Sequence, residues 1–290
     1  MDIDVVVPGG GLGALYTLAG VALIRELEDA GTVRVHAYYA TSAGGILAAA
    51  ALCFDADEMV RRTLEFVVIL QDRARTHWAH EAVTLFVEAM LPADAHVRCT
   101  GRLVLSTTRG TRRETVSAYG TRDELVRALV DSCRLPLLTA PLRCVFGRHD
   151  GYLPPTPPLT TRSVVTLPYP PAWQTLKISI HIVWWASPFL PVANLRARAR
   201  AALVEGLDLA APRITRVIDV PLGTLTRTRA ILAQEHTKRK ASSGGLMLAV
   251  RAFTHKLVRR ILRQVLRSAS NLTRLELRNM MGARRRCAPT

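Results

Sequence analysis

The sequence of 290 residues lacks a long apolar run and any close pair of cysteines. No stretch approaches the roughly eighteen consecutive apolar residues that span a bilayer. The five cysteines are odd in number and have no paired short spacing, which argues against a disulfide framework or a zinc site and predicts a reducing compartment. Met1 is followed by acidic residues and then directly by a strand pattern, so no secretory signal is expected.

The segment Ala40-Thr41-Ser42-Ala43-Gly44-Gly45 separates an apolar stretch of strand length from a run of small residues. This order predicts a strand-to-helix turn that raises the Ser42 hydroxyl above the edge of a sheet. The N–H of Ala43, at the N-terminus of the helix, would then face a developing oxyanion. An ordinary Ser-Gly turn is the alternative interpretation.

A glycine-rich turn, Gly9-Gly10-Gly11, comes between an apolar strand pattern and an apolar helical pattern. Consecutive glycines allow backbone N–H groups to face one concavity, which suits an anion or an oxyanion. The same letters nearly match the fingerprint of a dinucleotide site. That fingerprint needs an acidic residue at the end of the second strand, where this chain has Ala40-Thr41-Ser42, so a nucleotide site is disfavoured.

Asp150-Gly151 is the third candidate motif. Asp-Gly is common in turns, so it is interpreted either as a surface turn or as a loop that holds a carboxylate base. His149 is expected to face solvent, because neighbouring side chains usually point to different faces. Nothing in the sequence connects a histidine to Ser42, and a Ser-His-Asp triad is therefore not indicated.

Together these motifs resemble the patatin-like phospholipase family. The stretch from Gly120 to Leu138 looks like a family helix followed by a Ser-Cys-x-x-Pro turn, and it is most similar to the adiponutrin and adipose triglyceride lipase branch. The resemblance covers residues 3–190 and includes three departures. Ala40 replaces a glycine, the last glycine of the oxyanion turn is displaced or replaced, and Tyr152 follows Gly151.

The resemblance implies a lipid acyl hydrolase that acts on phospholipid or triacylglycerol through a Ser-Asp dyad, without metal or cofactor. Ser42 would attack the ester carbonyl, Asp150 would accept its proton, and water would hydrolyse the acyl-serine. Because aspartate is a weak base in water, the site would have to exclude solvent. The oxyanion donors would be Gly9, Gly10, Gly11 and Ala43. A catalytically impaired lipid- or membrane-binding module is the alternative.

The fold expected from these patterns is α/β: a three-layer α/β/α acyl hydrolase domain over residues 1–190 with a basic, mainly helical extension over residues 191–290. Predicted strands lie near 3–7, 33–39, 97–106, 113–119, 142–146 and 175–183. Predicted helices lie near 14–30, 43–53, 56–75, 80–90 and 121–132. Residues 154–171 contain seven prolines and are expected to form an irregular loop across the site or a spacer.

The extension contains the whole charge excess. Residues 1–190 have 18 Lys and Arg against 18 Asp and Glu, whereas residues 191–290 have 21 against 5. Residues 246–267 follow the pattern of an amphipathic helix, and its basic arc consists of Lys256, Arg259, Arg260, Arg263 and Arg267.

Such a helix suits an anionic membrane or lipid surface. A helix packed on the domain with a solvated basic face is the alternative, and a nucleic-acid role has no motif to support it. The sequence therefore predicts a cytoplasmic enzyme associated peripherally with a membrane or lipid droplet.

Overall fold

The computed structural model describes residues 1–73, 79–135, 147–159, 161–169 and 192–234. Six strands lie within them: β1 (Asp2–Val7), β2 (Arg34–Thr41), β3 (Leu103–Arg109), β4 (Arg112–Val116), β5 (Arg148–Asp150) and β6 (Ser163–Thr166). The α-helices of the same residues are α1 (Ala14–Asp29), α2 (Ala43–Cys53), α3 (Ala56–Arg73), α4 (Ala79–Met90), α5 (Ala95–Cys99), α6 (Arg122–Ser132), α7 (Val192–Ile214) and α8 (Leu222–Ala233).

The strands form one mixed sheet in the order β4-β3-β2-β1-β6. β1 is parallel to β2 and to β6, and β2 is parallel to β3, whereas β4 and β5 both pair with β3 in the antiparallel direction. Parallel neighbours need crossover connections. α1 lies in the connection between β1 and β2, and α2 lies in the connection between β2 and β3. The predicted α/β fold, a sheet flanked by helices, is confirmed.

Alternation along β1 separates the two faces of the sheet. Ile3, Val5 and Val7 are fully buried and belong to the large core that also contains the apolar faces of the helices. The intervening side chains point to the other face. A small second cluster there consists of Val6, Ala37 and Tyr39. Most of the described apolar packing therefore lies on one side of the sheet, against α1 and α2.

The helices α7 and α8 belong to this main core. Leu203, Leu207 and Ile214 of α7 are fully buried in it. The Tyr16 hydroxyl of α1 donates a hydrogen bond to Glu205 over 3.1 Å. The described part of the basic extension thus packs directly on α1, while the division of the chain at residue 190 stays a prediction.

The predicted strand over residues 97–106 is wrong in its first part. A short helix, α5, occupies Ala95–Cys99, and β3 begins only at Leu103. Ala95 and Cys99 are both fully buried, and their four-residue spacing places them on one helical face. The apolar residues in this segment therefore follow the period of a helix and not the alternation of a strand.

The expectation of irregular structure throughout residues 154–171 is also wrong, because β6 lies within them. The prolines stand on either side of residues 159–167, so a strand fits between them. Val165 is buried and Val164 is exposed, which is the alternation expected of a strand with one covered face.

The remaining predicted helices and the strands near 3–7, 33–39 and 113–119 agree with the structure to within a few residues. The predicted strands at 142–146 and 175–183 lie outside the described residues, as does the predicted basic helix at 246–267. Among the helices that are described, none combines the length and apolarity needed to cross a membrane.

Candidate active site

The pairing of β3 explains how two distant segments meet. Thr41, the last residue of β2, pairs with Ser106 of β3, and Asp150 of β5 pairs with the next residue, Thr107. β4 pairs with these β3 residues on their other side. β5 therefore lies on the same side of β3 as β2, just beyond the residue where β2 ends. β5 runs antiparallel to β3 and so points toward the end of β2. Ser42 and Asp150 therefore meet end to end beside Ser106.

Ser42 sits on a tight turn between β2 and α2. Its backbone has φ 53° and ψ −138°, a left-handed conformation that is costly for a residue other than glycine. Neighbouring glycines allow the chain to pack around it. A Cβ on Gly44 would lie 2.4 Å from the Pro8 carbonyl oxygen, and one on Gly9 would lie 2.9 Å from the Ser42 Cβ. The turn is thus held in a strained form by close backbone packing.

The Ser132 hydroxyl bridges this turn to β3. Its Oγ accepts a hydrogen bond from the Ser42 N–H over 2.8 Å and donates one to the Ser106 carbonyl oxygen, also over 2.8 Å. Ser132 is fully buried at the C-terminal end of α6. Without it, the buried N–H of Ser42 would lose its partner, which carries a free-energy cost. Ser132 therefore fixes the position of the Ser42 backbone.

Hydrogen bonds hold both the backbone and the side chain of Asp150. Its N–H donates to the Arg134 carbonyl oxygen over 2.9 Å, and its Oδ1 accepts from the Tyr152 N–H over 2.6 Å. Tyr152 itself has φ 60°. At Gly151 a Cβ would lie 2.5 Å from the Ser106 carbonyl oxygen, so this position requires glycine. The carboxylate stands buried at the end of a short strand, directly before a bend, so the interpretation as a surface turn is wrong.

The Ser42 hydroxyl lies beside the Asp150 carboxylate and lowers the pKa of that carboxyl as a hydrogen-bond donor does. Only 7% of Ser42 and 3% of Asp150 are exposed. Burial raises the pKa of Asp150 above its ordinary value, while hydrogen bonds from Ser42 and from the Tyr152 N–H act in the opposite direction. The carboxylate is therefore a stronger base here than in water, and it lies beside the hydroxyl whose proton it would accept.

Cys133 is the other titratable group at this serine. Its thiol is hydrogen-bonded to the Ser42 side chain and lies in the field of Asp150. Burial raises the pKa of the thiol, and the Asp150 charge adds to that effect. The thiol is thus kept neutral beside the serine, where a thiolate would compete as a nucleophile.

The predicted oxyanion residues lie on the two backbone segments next to Ser42. Gly9, Gly10 and Gly11 follow the end of β1, and Ala43 is the first residue of α2. The Gly10 carbonyl accepts the Gly13 N–H over 2.8 Å, which closes a single 3-10 turn. Within the described part of the chain, the Gly10 N–H has no hydrogen-bond partner. These positions place several backbone donors at the edge of the sheet that carries Ser42.

The expectation for His149 is wrong. Only 4% of its surface is exposed, because the β3–β4 turn and the Tyr152 ring cover it. Its Nε2 lies 3.2 Å from the Gly110 carbonyl oxygen, and its ring meets that of Tyr152 edge-on at 5.8 Å. In the described residues no hydrogen bond joins His149 to Ser42, so the histidine packs behind the aspartate.

The sequence motifs identified the serine and the aspartate but not the residues that orient them. Ser132 and Cys133 fall within the Ser-Cys-x-x-Pro turn, although nothing in the sequence shows that both would reach Ser42. Ser106, an ordinary polar position in a strand, gave no signal. Gly44 and Gly151 stood in recognised motifs, and the structure adds the contacts that require them.

The fold and this contact define a class: an α/β protein with a buried serine–aspartate pair at the carboxyl edge of its sheet. No protein-family model matches the chain. The mouse protein named omega-hydroxyceramide transacylase is 28% identical over 156 residues, which are 51% of this chain and 24% of that protein. The human protein of the same name is 29% identical over 156 residues, 51% of this chain and 27% of that protein.

This similarity is weak homology over about half of the chain. The chain spans about a quarter of the length of the curated relatives it matches.

Proposed function

We propose that this protein is a lipid acyl hydrolase of the patatin-like kind, with Ser42 as nucleophile and Asp150 as general base. The observation that carries the proposal is the register of β3, which brings Ser42, on a strained strand-to-helix turn, next to a buried carboxylate of raised pKa. A nucleophile with a positioned base beside it forms the minimal apparatus for covalent acyl transfer.

In the first step the Ser42 Oγ bonds to the ester carbonyl carbon while its proton passes to Asp150. Backbone N–H groups of Gly9, Gly10, Gly11 and Ala43 stabilise the oxyanion that forms. The bond from carbon to the alkoxy oxygen then breaks, and the leaving alcohol takes the proton from Asp150. This leaves an acyl-serine and a carboxylate ready to accept another proton.

In the second step an acceptor hydroxyl attacks the acyl-serine and gives its proton to Asp150, which returns it to the Ser42 Oγ as the acyl group leaves. Water as acceptor gives a fatty acid, and a lipid alcohol gives a transferred ester. The names of the two relatives favour the second acceptor as a candidate activity, since both are called transacylases. Acyl transfer between lipids is therefore the second proposal for the same site.

A fluorophosphonate probe tests the nucleophile directly. Wild-type protein should be labelled and Ser42→Ala should not. Ser117→Ala, which removes an exposed serine far along the chain from the turn, is the matched control and should be labelled like the wild type. Folded wild-type protein that takes no label would contradict the enzyme proposal and favour a lipid-binding module without activity.

The acceptor is tested by product analysis. The purified protein is incubated with a long-chain acyl ester, first in water alone and then with a lipid alcohol in the same vesicles. Free fatty acid in both mixtures indicates hydrolysis, and a new ester that appears only with the alcohol indicates transfer.

Because burial raises the pKa of Asp150, the rate should fall on the acid side at a pH above the ordinary aspartate range.

A further inference from the structure

Exposed apolar side chains are concentrated in the residues that follow Asp150. The described residues contain nine exposed large hydrophobic side chains, and five of them lie in residues 152–169. Tyr152, Leu153 and Tyr169 are each about half exposed, at 54%, 52% and 48%. Exposed apolar side chains mark an interaction site where they share one edge of the fold, so their positions in space decide the matter.

Contacts place Tyr152 beside the candidate site, and the sheet places Tyr169 at the same edge. The Tyr152 N–H bonds to Asp150, and its ring rests against His149. Burial raises the pKa of Tyr169, and the charges of Asp150 and Arg113 also act on it, in opposite directions. Tyr169 follows β6, whose last residue pairs with Val6 near the end of β1, so Tyr169 lies at the carboxyl edge of the sheet that also carries Ser42.

The β3–β4 turn brings positive charge to the same edge. Its carbonyl at Gly110 bonds to His149, directly behind Tyr152. Arg109, Arg112 and Arg113 are exposed around this turn. Arg109 is paired with Glu114, whereas Arg112 and Arg113 form no ion pair within the part of the chain that the structure describes. Two exposed arginines beside this turn, one on each face of the edge strand β4, are thus available to an anionic partner.

We propose that Tyr152, Leu153, Tyr169, Arg109, Arg112 and Arg113 form a site-mouth surface that docks the protein on an anionic lipid bilayer. Tyrosine and leucine side chains enter the boundary between headgroups and acyl chains, and the arginines bind lipid phosphates. Charge complementarity favours this partner, because a basic border beside exposed apolar side chains is suited to anionic headgroups. Docking on this surface brings the candidate site next to the bilayer.

The inference deepens the proposed function, since a lipid ester is the substrate assumed for the site. It concerns a surface other than the predicted basic helix at residues 246–267, and both segments are present in the full chain. Binding is therefore measured on the full chain with single-site changes. Turnover is measured separately on a soluble short-chain ester, which needs no bilayer.

Vesicle co-sedimentation compares phosphatidylcholine with and without phosphatidylserine. Leu153→Glu and the double variant Arg112→Glu/Arg113→Glu should each bind phosphatidylserine vesicles at least about tenfold more weakly than wild type. Val97→Glu, at an exposed site on α5, is the apolar control. Arg34→Glu/Arg216→Glu changes two exposed arginines away from the mouth and controls for charge. Both controls should bind like the wild type apart from a small general charge effect.

Turnover of the soluble ester should be unchanged in the site-mouth variants. Equal vesicle binding by the site-mouth variants and the wild type would overturn the proposal and leave a protein as the partner of this surface. Equal weakening in the site-mouth and control variants would also overturn it, because the effect would then come from total charge. Loss of vesicle binding in the site-mouth variants alone would support it, even if no variant hydrolysed the soluble ester, in which case only the proposed function would fail.

Discussion

Ser42 and Asp150 reach the site on two segments of opposite construction. The serine turn lies between two long elements, β2 and α2, and is enclosed by backbone contacts at Gly9 and Gly44. The aspartate stands on a strand of three residues, and the chain becomes exposed directly after it at Tyr152. Close packing at two glycines and the Ser132 hydrogen bond hold the serine turn, whereas the short aspartate segment has close packing at Gly151 and hydrogen bonds to Arg134 and Tyr152.

This difference predicts which changes act on folding and which act on chemistry. Around the serine, a small increase in side-chain volume must displace backbone atoms. Around the aspartate, the same backbone can persist while one functional group changes. The predictions below test that contrast, beginning with the largest effect.

Asp150→Asn should lower kcat by about a thousandfold or more while the protein remains folded. The amide keeps the shape of the side chain and can still accept from the Tyr152 N–H, but it cannot accept a proton from Ser42. Circular dichroism and steady-state kinetics on an acyl ester measure the two properties separately. Activity within tenfold of wild type would exclude Asp150 as the base.

Gly44→Ala should reduce stability strongly, by about 3 kcal/mol or more, because its Cβ would lie 2.4 Å from the Pro8 carbonyl oxygen. Gly223→Ala is the matched control. A Cβ at Gly223 meets nothing within 4 Å in helix α8, and the change there should raise stability slightly. Denaturant unfolding measures both. A Gly44→Ala protein as stable as wild type would show that the serine turn is not fixed by packing.

The sequence predicted the central elements well because their signals are local. The apolar run in β1, the glycine turn and the small-residue helix α2 each have a pattern of their own. It failed where the decisive information was not local. The three-residue strand β5 is too short to have a period, and it exists because β3 extends beyond the end of β2. For the same reason the sequence indicated Ser42 and Asp150 but gave no role to Ser106 or Ser132.

Ser132→Ala should have an intermediate effect, with a loss of about 1–3 kcal/mol in stability because the buried Ser42 N–H loses its acceptor. If Ser132 positions the nucleophile, kcat should fall at least about tenfold while KM stays within about twofold. Ser132→Thr retains the hydroxyl and should restore much of kcat, and Ser117→Ala controls for loss of an exposed serine. A stability loss with unchanged kcat would limit Ser132 to a structural role.

The smallest predicted effect is a pH-dependent gain in stability for Asp150→Asn. Burial raises the pKa of Asp150 in the folded protein. The carboxyl therefore contributes stability below its ordinary pKa, and this contribution is lost as the pH rises through the raised one. At neutral pH the ionised, buried carboxylate lowers the stability of the wild type. The variant has no such charge, so its Tm should exceed that of the wild type by more at pH 7 than at pH 3.5. Thermal unfolding at both pH values measures the difference. A difference in Tm that does not change with pH would mean that the pKa of Asp150 is the same in the folded and unfolded protein, because its hydrogen bonds offset the effect of burial.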